Sequence, residues 1–147
     1  MVRHLRRLTA TLWLVLAIAA PVKSEPRIET VTGGLEVPWA LAFAPDGSLF
    51  VTERPGRIRL VKNGRLESEP IVTLHVAAVG EGGLMGLALD PAFAKTGHLY
   101  TCYTADKGGR LINRLVRLTL RGERAGDERV LIDDIPANSH KGLPSKS

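Results

Sequence analysis

Cysteine and net charge are both scarce in this sequence. Its 147 residues include a single cysteine, Cys102, so no disulfide can form within the chain. Cys102 lies in an apolar alternating segment, which predicts a small buried side chain rather than a thiol nucleophile. The formal net charge of +5 comes mainly from residues 1–24, which contain four basic residues and no acidic one. The other 123 residues hold 16 basic and 15 acidic side chains, so their charge gives no reason to expect nucleic-acid binding.

The sequence also lacks an apolar run that would comfortably span a membrane. Its one long apolar run, residues 8–20, has 13 residues, whereas a spanning helix needs about 20. An arginine-rich start precedes this run, and Val22 and Ser24 fit the −3 and −1 positions of a cleavage site. Residues 1–24 are therefore predicted to be a secretory signal peptide, with an uncleaved N-terminal anchor as the alternative. Cleavage would place the mature chain in the periplasm or outside the cell, with no membrane span left.

Short apolar segments separated by turn residues predict β-strands in the rest of the chain. The first four segments are residues 37–43, 49–53, 57–62 and 71–74. The turns between them contain Pro-Asp-Gly, Arg-Pro-Gly and Asn-Gly, in which proline presets φ and glycine tolerates positive φ. Charged and apolar residues alternate in the third segment, as expected for a half-exposed strand. No helix of useful length is predicted after the signal peptide.

The pattern of the first four strands recurs in the second half of the chain. Residues 41–45 are matched by 87–91, residues 49–52 by 99–102 and residues 57–60 by 115–118, and residues 130–133 complete the second set. Four short strands per repeat, at a period in the forties, predict a β-propeller blade. An eight-stranded β-sandwich is the alternative, and it is less favoured because it would not require the repeated turn chemistry.

Two blades are fewer than a closed propeller needs, since closed propellers have at least about four. Residues 136–142 resemble the start of a third blade, and residues 143–147 then form a short polar tail that contains a proline. The chain is therefore expected to be the N-terminal part of a larger domain, produced by truncation or by a shifted reading frame.

A glycine-rich stretch, residues 80–86, overlaps the start of a strand predicted at 84–89. Its four glycines predict a loop that brings the backbone close to a ligand, and one carboxylate, Glu81, lies inside the loop. Asp90-Pro91 ends the strand, because proline cannot donate to a sheet ladder. A plain turn between strands explains the glycines equally well. A phosphate loop is not indicated, because neither Lys-Ser/Thr nor a helix follows.

Four motifs in a fixed order resemble the soluble quinoprotein glucose/sorbosone dehydrogenase family, the PQQ-dependent aldose sugar dehydrogenases. They are Val-Pro-Trp at 37–39, Pro-Asp-Gly at 45–47, Thr-Glu-Arg-Pro-Gly-Arg at 52–57 and the segment 80–93. Each motif alone would be weak, but their order is specific. The resemblance implies an all-β fold in which residues 25–142 form about two N-terminal blades of a six-bladed β-propeller. The signal peptide precedes these blades, and the tail, residues 143–147, lies outside the family pattern.

The resemblance also implies two site residues. Glu81 is placed in the substrate and cofactor pocket, and His140 is placed as the general base. Oxidation of a sugar at C1 removes the hydroxyl proton while hydride passes to the quinone, and a neutral imidazole suits the proton step. Without the resemblance, a surface histidine near a chain end would be the simpler interpretation of His140.

PQQ and calcium are the cofactors that the resemblance implies, although the family's cationic clamps and calcium ligands lie in later blades. A quinone with three carboxylates requires such cations. The full-length form is expected to oxidise aldose sugars to lactones and to pass electrons to an acceptor, whereas this chain alone is expected to be inactive. No metal ligand is predicted within the chain. The alternatives are a secreted propeller that binds partners without redox chemistry and a nonfunctional truncated product.

Overall fold

The computed structural model describes residues 26–137, which form two antiparallel β-sheets and one short helix. The first sheet contains β1 (Pro38–Phe43), β2 (Leu49–Glu53), β3 (Arg57–Lys62), β4 (Arg65–Leu66) and β5 (Val72–Thr73). The second contains β6 (Leu84–Leu89), β7 (His98–Lys107), β8 (Arg110–Arg121) and β9 (Arg124–Pro136), with α1 (Phe93–Thr96) between β6 and β7. Both sheets are meanders, in the orders β1-β2-β3-β4 and β6-β7-β8-β9, and β5 also pairs with β3. The predicted signal peptide, His140 and the tail lie outside the described residues.

The two sheets pack against each other through one apolar core. Its most buried side chains come from β2 and β3 in the first sheet and from β6, β7 and β8 in the second: Phe50, Ile58, Leu60, Leu84, Leu99, Ile112, Val116 and Leu118. Within each strand these are alternate residues, as the period of two in a β-strand requires. Burial of each such side chain is worth about 1.5–3 kcal/mol, so this contact is the main interaction that joins the two sheets.

The single helical turn, α1, joins β6 to β7 and packs on the same core. The rings of Phe93 and Phe50 meet edge to face, with centroids 5.6 Å apart. Gly97 ends the helix in the left-handed conformation, with φ 63°, and a Cβ there would lie 2.6 Å from the Leu120 carbonyl oxygen. Glycine is therefore required at this position for two reasons. Among the described residues, no helix has the length and apolar character needed to cross a membrane.

The internal repeat predicted from the sequence is present in the strand register. Phe43 pairs with Leu49 in the first sheet, and Leu89 pairs with Leu99 in the second. Both pairings also contain a register shift in the first half of the inner strand. β1–β2 and β6–β7 are therefore equivalent hairpins, as the match between the two halves of the sequence predicted.

The predicted match of residues 57–60 with 115–118 is wrong by one position. Leu60 faces Phe50 in the first sheet, whereas the residue that faces the equivalent Tyr100 in the second is Arg117. The two sheets present opposite faces to their shared core. Matching the buried residues of one sheet to those of the other therefore shifts the alignment by one residue.

The outer strands also differ from their predicted extents. The predicted strand at 71–74 is only β5, and a second short piece, β4, pairs with the same edge of β3. In the second sheet β7, β8 and β9 have 10, 12 and 13 residues and are not short. Ion pairs such as Arg110–Asp134 (2.6 Å) and Arg114–Asp133 (3.1 Å) link the extended parts of β8 and β9, which we call the long arms. Because charged residues occupy these parts, the sequence shows no apolar alternation there from which the strands could be predicted. Pro136, predicted to start a third blade, is the last residue of β9.

Cys102 lies on the face of β7 that points away from the shared core, since its neighbour Thr101 points toward it. Its side chain is half-buried, and burial raises the pKa of its thiol. A thiol that stays protonated near neutral pH is a poor nucleophile, as predicted, whereas the predicted buried position is wrong, since the side chain is only half-buried and faces away from the core.

Candidate functional site

Glu81 lies in the glycine-rich loop before β6, and its side chain is exposed. It borders a pocket of about 220 Å³ at the end of the second sheet where β7 turns into β8. The other residues that line the pocket are Val79, Gly82, Met85, Thr104, Leu111, Asn113 and Ala137. The loop, the β7–β8 hairpin and the end of β9 therefore meet around the Glu81 carboxylate.

Two polar side chains on adjacent strands form one wall of this pocket. Thr104 and Asn113 are paired residues of β7 and β8, and the Thr104 hydroxyl donates to Asn113 Oδ1 over 2.8 Å. The Thr104 main chain also accepts from the Ala77 N–H (2.8 Å) and donates to the Gly83 carbonyl (2.9 Å), so Thr104 fastens the loop to the sheet. A carboxylate, an amide and a hydroxyl in one pocket can donate and accept hydrogen bonds with a polyhydroxylated ligand.

The glycine-rich loop is held from the first sheet by Arg54, which follows β2. Its Nε donates to the Gly82 carbonyl over 2.9 Å, and its guanidinium also donates to the carbonyls of Gly80 and Ala78. The Arg54 carbonyl in turn accepts from the Leu84 N–H over 2.9 Å. The main chain on both sides of Glu81 is therefore fixed by one residue of the neighbouring blade.

The loop glycines allow close packing within the protein. A Cβ at Gly83, where φ is 133°, would lie 2.5 Å from the Arg54 carbonyl oxygen. A Cβ at Gly82 would lie 2.9 Å from Thr104 Oγ1, whereas one at Gly80 or Gly86 would meet nothing within 4 Å. Gly83 thus serves the junction between the blades and Gly82 the packing of the loop on β7, and the approach to a ligand predicted from the sequence is not what requires these two glycines.

Next to Arg54 lies a completely buried carboxylate, Glu53. It accepts hydrogen bonds from Arg57 Nε over 2.5 Å and from the Glu36 N–H over 2.6 Å, and Arg59 lies 3.5 Å away. Burial alone would raise the pKa of Glu53, but the hydrogen bonds from Arg57 and from the Glu36 N–H outweigh it and lower the pKa. The hydrogen bond to Glu53 raises the pKa of Arg57 in turn. Glu53 is therefore an ionised carboxylate that pairs with Arg57 and Arg59 beside Arg54.

Thr52 completes the contact between the blades. Its hydroxyl donates to the Met85 carbonyl in β6 over 2.8 Å and accepts from the Ala40 N–H over 3.0 Å. The motif at residues 52–57, which served as a family marker in the sequence, thus has a structural explanation: Thr52 and Arg54 connect the first sheet to the pocket of the second, and Glu53 pairs with arginines of its own sheet. Sequence analysis missed the contributions of Arg54, Thr104 and Asn113, because only strand pairing and blade packing bring them to Glu81.

His140, the other predicted site residue, lies outside the described residues, so its role as general base stays a prediction. The last described residue, Ala137, lines the Glu81 pocket and precedes His140 by three positions in the sequence. The structure brings Glu81 together with Thr104 and Asn113 and gives no test of a pairing with His140.

The described lining of the pocket does not by itself fit a quinone that carries three carboxylates. It contains one acidic residue, Glu81, and no lysine or arginine. The guanidinium of Arg54, which contacts the lining residue Gly82 from outside the pocket, donates to three loop carbonyls. Among residues 26–137 no group of three or more His, Cys, Asp or Glu side chains is arranged to hold a metal ion. The cationic partners that such a cofactor needs are not supplied here.

A larger cavity, of about 970 Å³, lies at the opposite end of the sheets, and it contains neither Glu81 nor the residues around it. Its lining includes the turn at 44–46, the segment 93–98 and the β8–β9 turn. Size alone therefore does not indicate the site. The larger cavity also has charged lining residues, so the smaller pocket is the candidate site because it contains Glu81, the residue that the resemblance assigns to the substrate and cofactor pocket.

Comparison with known sequences gives one family. The pattern of the glucose/sorbosone dehydrogenase family matches residues 35–145. The chain is similar to the aldose sugar dehydrogenase YliI of Escherichia coli (strain K12), with 33% identity over 124 residues, 76% of this chain and 32% of that protein. The chain therefore spans about a third of the length of this relative.

Solved structures give the same result. A crystal structure from Thermus thermophilus, described as a proposed oxidoreductase (glucose dehydrogenase), shares 52% identity at a TM-score of 0.71, over 78% of this chain and 34% of that one. The PQQ-bound aldose sugar dehydrogenase of Streptomyces coelicolor shares 34% identity at a TM-score of 0.65, over 74% of this chain and 34% of that one. These similarities confirm the predicted fold class, the N-terminal part of a β-propeller.

Proposed function

The chain belongs to the glucose/sorbosone dehydrogenase family, and we propose that it forms the first two blades of an enzyme that oxidises aldose sugars at C1 to lactones. The single observation that carries this proposal is the pocket in which Glu81 meets Thr104 and Asn113. The names of its relatives, which refer to glucose and aldose sugar dehydrogenases, support the substrate class.

Glu81 is proposed to bind and orient the sugar. Its exposed carboxylate can accept hydrogen bonds from two sugar hydroxyls, and Asn113 can both donate and accept. Because the loop is tied to Arg54 and Thr104, the backbone that carries this carboxylate is held in place before the sugar arrives. Such a contact orients the substrate and transfers no proton, so its loss should act mainly on KM.

His140 is proposed to be the general base that accepts the proton of the C1 hydroxyl. A neutral imidazole with a pKa near the working pH suits this task. PQQ and calcium are proposed as the cofactors of the complete enzyme, and their binding residues would come mainly from blades beyond residues 26–137. The electron acceptor of the complete enzyme is a further proposed partner.

The proposed organisation of the chain follows the sequence analysis. Residues 1–24 are proposed to be a signal peptide that directs export to the periplasm or the exterior, residues 25–142 the propeller portion, and residues 143–147 a polar tail. Because the family match extends to residue 145, only the last two residues of that tail lie outside the family pattern. The nearly balanced charge of the propeller portion supports a sugar substrate rather than a nucleic acid.

A chimera tests the proposed activity. Residues 26–142 replace the matching third of the Thermus thermophilus protein, whose 52% identity makes the exchange structurally conservative. Aldose oxidation is then measured with an artificial dye as electron acceptor, in the presence of PQQ and calcium. The chimera is expected to oxidise aldoses, whereas the 147-residue chain alone is expected to be inactive. A folded chimera without activity would contradict the proposal.

Two substitutions in the chimera test the proposed roles. His140→Ala is expected to lower kcat by about 10²–10⁴-fold, the usual contribution of a general base. Glu81→Gln is expected to raise KM about tenfold with little change in kcat, since it weakens one charged hydrogen-bond acceptor. Glu69→Gln, an exposed glutamate outside the pocket, is the matched control and should change neither constant. An unchanged kcat in His140→Ala would contradict the assignment of His140 as the general base.

A further inference from the structure

Arg54 and Glu81 belong to different blades, yet their positions are linked through the main chain of the glycine-rich loop. The Arg54 guanidinium donates to the carbonyls of Ala78, Gly80 and Gly82, and the last two residues flank Glu81 directly. We propose that Arg54 is a positioning residue, which sets sugar affinity by fixing the backbone that carries Glu81. The inference rests on the proposed function of Glu81 in sugar binding.

The chemistry of the guanidinium explains why an arginine suits this place. Its donors lie in one rigid plane and can serve several carbonyls at once, whereas a lysine ammonium is a compact charge on a flexible stem. Hydrogen bonds from a charged donor are also stronger than those between neutral groups. A lysine at position 54 would keep the charge but would not hold the three carbonyls in one arrangement.

The loop around Arg54 is shaped for this contact. Gly83 has no Cβ, and this absence lets the loop approach the Arg54 carbonyl, which accepts from the Leu84 N–H. Arg54 thus contacts the loop through its main chain after Glu81 and through its side chain on both sides of it. Any movement of the guanidinium would be transmitted to the Glu81 backbone, although the structure places no Arg54 atom on the pocket lining.

Hydrogen exchange in the full 147-residue chain tests whether Arg54 holds the loop. In Arg54→Lys the amides of Gly82 and Leu84 are expected to exchange about tenfold or more faster, while those of Ile112 and Val116 in the core stay unchanged. Arg121→Lys is the matched control, because Arg121 is a surface arginine of the second sheet that pairs with Asp127. Unchanged exchange in the loop, or an equal increase in the core, would overturn the proposal.

A double-substitution cycle in the chimera tests whether Arg54 acts through Glu81. Arg54→Lys is expected to raise KM for the sugar about tenfold with kcat nearly constant, and to have no further effect when Glu81→Gln is already present. An undiminished effect of Arg54→Lys in the Glu81→Gln background would overturn the positioning role. If Glu81→Gln alone leaves KM unchanged, the proposed function of Glu81 fails, while the exchange experiment still decides whether Arg54 holds the loop.

Discussion

In the first sheet Glu53 faces Pro38, and in the second sheet Tyr103 faces Leu84, so an acid and an aromatic residue occupy equivalent positions in the two blades. Both side chains are almost completely buried. Glu53 is neutralised by neighbouring arginines, whereas the Tyr103 hydroxyl donates to Glu128 over 2.7 Å. The shared register therefore comes from turns and strand pairing, and the chemistry at a given position is free to differ.

The difference follows from what each blade supports. The charged and polar residues of the first sheet reach toward the second, through Arg54 to the loop and through Thr52 to the Met85 carbonyl. The second sheet uses its charged residues in the long arms of β8 and β9, where Arg110 and Asp134 pair. The first blade thus supports the candidate site by holding the backbone of the loop, and the second blade contains the residues that line the site. Variants at equivalent positions of the two blades test this difference.

The largest effect is expected for Glu53→Ala. Removal of the buried carboxylate leaves Arg57 and Arg59 without their shared partner, and breaking a buried ion pair in this way costs about 3–5 kcal/mol. Guanidinium unfolding of the chimera measures the free energy. A decrease in the free energy of unfolding below about 1 kcal/mol, the value typical of exposed ion pairs, would show that the Glu53 cluster does not stabilise the first blade as we describe.

Leu60→Ala is expected to have the next largest effect. Leu60 is 2% exposed and packs in the core shared by the sheets, so truncation should cost about 3 kcal/mol. Arg117 holds the equivalent register position in the second sheet but lies on the face away from that core, and Arg117→Ala should cost at most about 1 kcal/mol. Equal losses at the two positions would contradict the register derived from the structure.

Tyr103→Phe is expected to lower the free energy of unfolding less than Glu53→Ala or Leu60→Ala. The ring keeps its packing and its position under the Arg114 guanidinium, 5.9 Å from the ring centroid, and only the hydrogen bond to Glu128 disappears. Loss of one such bond costs about 1 kcal/mol. The same unfolding measurement gives the value, and a loss as large as that of Glu53→Ala would mean that the two equivalent positions contribute alike.

Sequence analysis predicted the hairpins of both blades with nearly correct bounds, because turn residues and apolar alternation are local signals. β2, β3 and β6 begin and end where the segments 49–53, 57–62 and 84–89 were predicted. The long arms of β8 and β9 were not predicted, since charged residues that pair across strands leave no apolar pattern. The propeller fold was predicted from the repeated four-strand pattern, and the family was predicted from the order of the motifs, which no single motif would have supported.

The candidate site was predicted only in part. Glu81 was identified through the resemblance, but the pocket around it depends on contacts between residues far apart in the sequence. Arg54 and Gly82 are 28 positions apart, and Thr104 pairs with Asn113 only because β7 and β8 adopt one particular register. Gly82 and Gly83 are required by close packing against Thr104 and the Arg54 carbonyl, which are contacts between residues far apart in the sequence that no local pattern indicates.

The smallest effect is expected on the pH dependence of stability near neutral pH, and it sharpens the comparison of Glu53 with Tyr103. The pKa of Glu53 is lowered from its ordinary value of 4.5, so above that value the carboxylate is ionised in both the folded and the unfolded chain. Its contribution to stability is fully present there and is lost as pH falls through the lower folded pKa. The difference in unfolding free energy between the parent protein and Glu53→Gln should therefore stay constant at neutral pH and shrink below pH 4.5.

Tyr103→Phe should show no such change at acidic pH, because the pKa of Tyr103 is raised above its ordinary value of 10.0, by burial and by the hydrogen bond to Glu128. Guanidinium unfolding of the three proteins from neutral to acidic pH measures both differences. If the difference in unfolding free energy between the parent protein and Glu53→Gln grows as pH falls below 4.5, burial raises the pKa of Glu53 more than the arginines lower it. That result would contradict the stabilising role of the ion pair in the first blade.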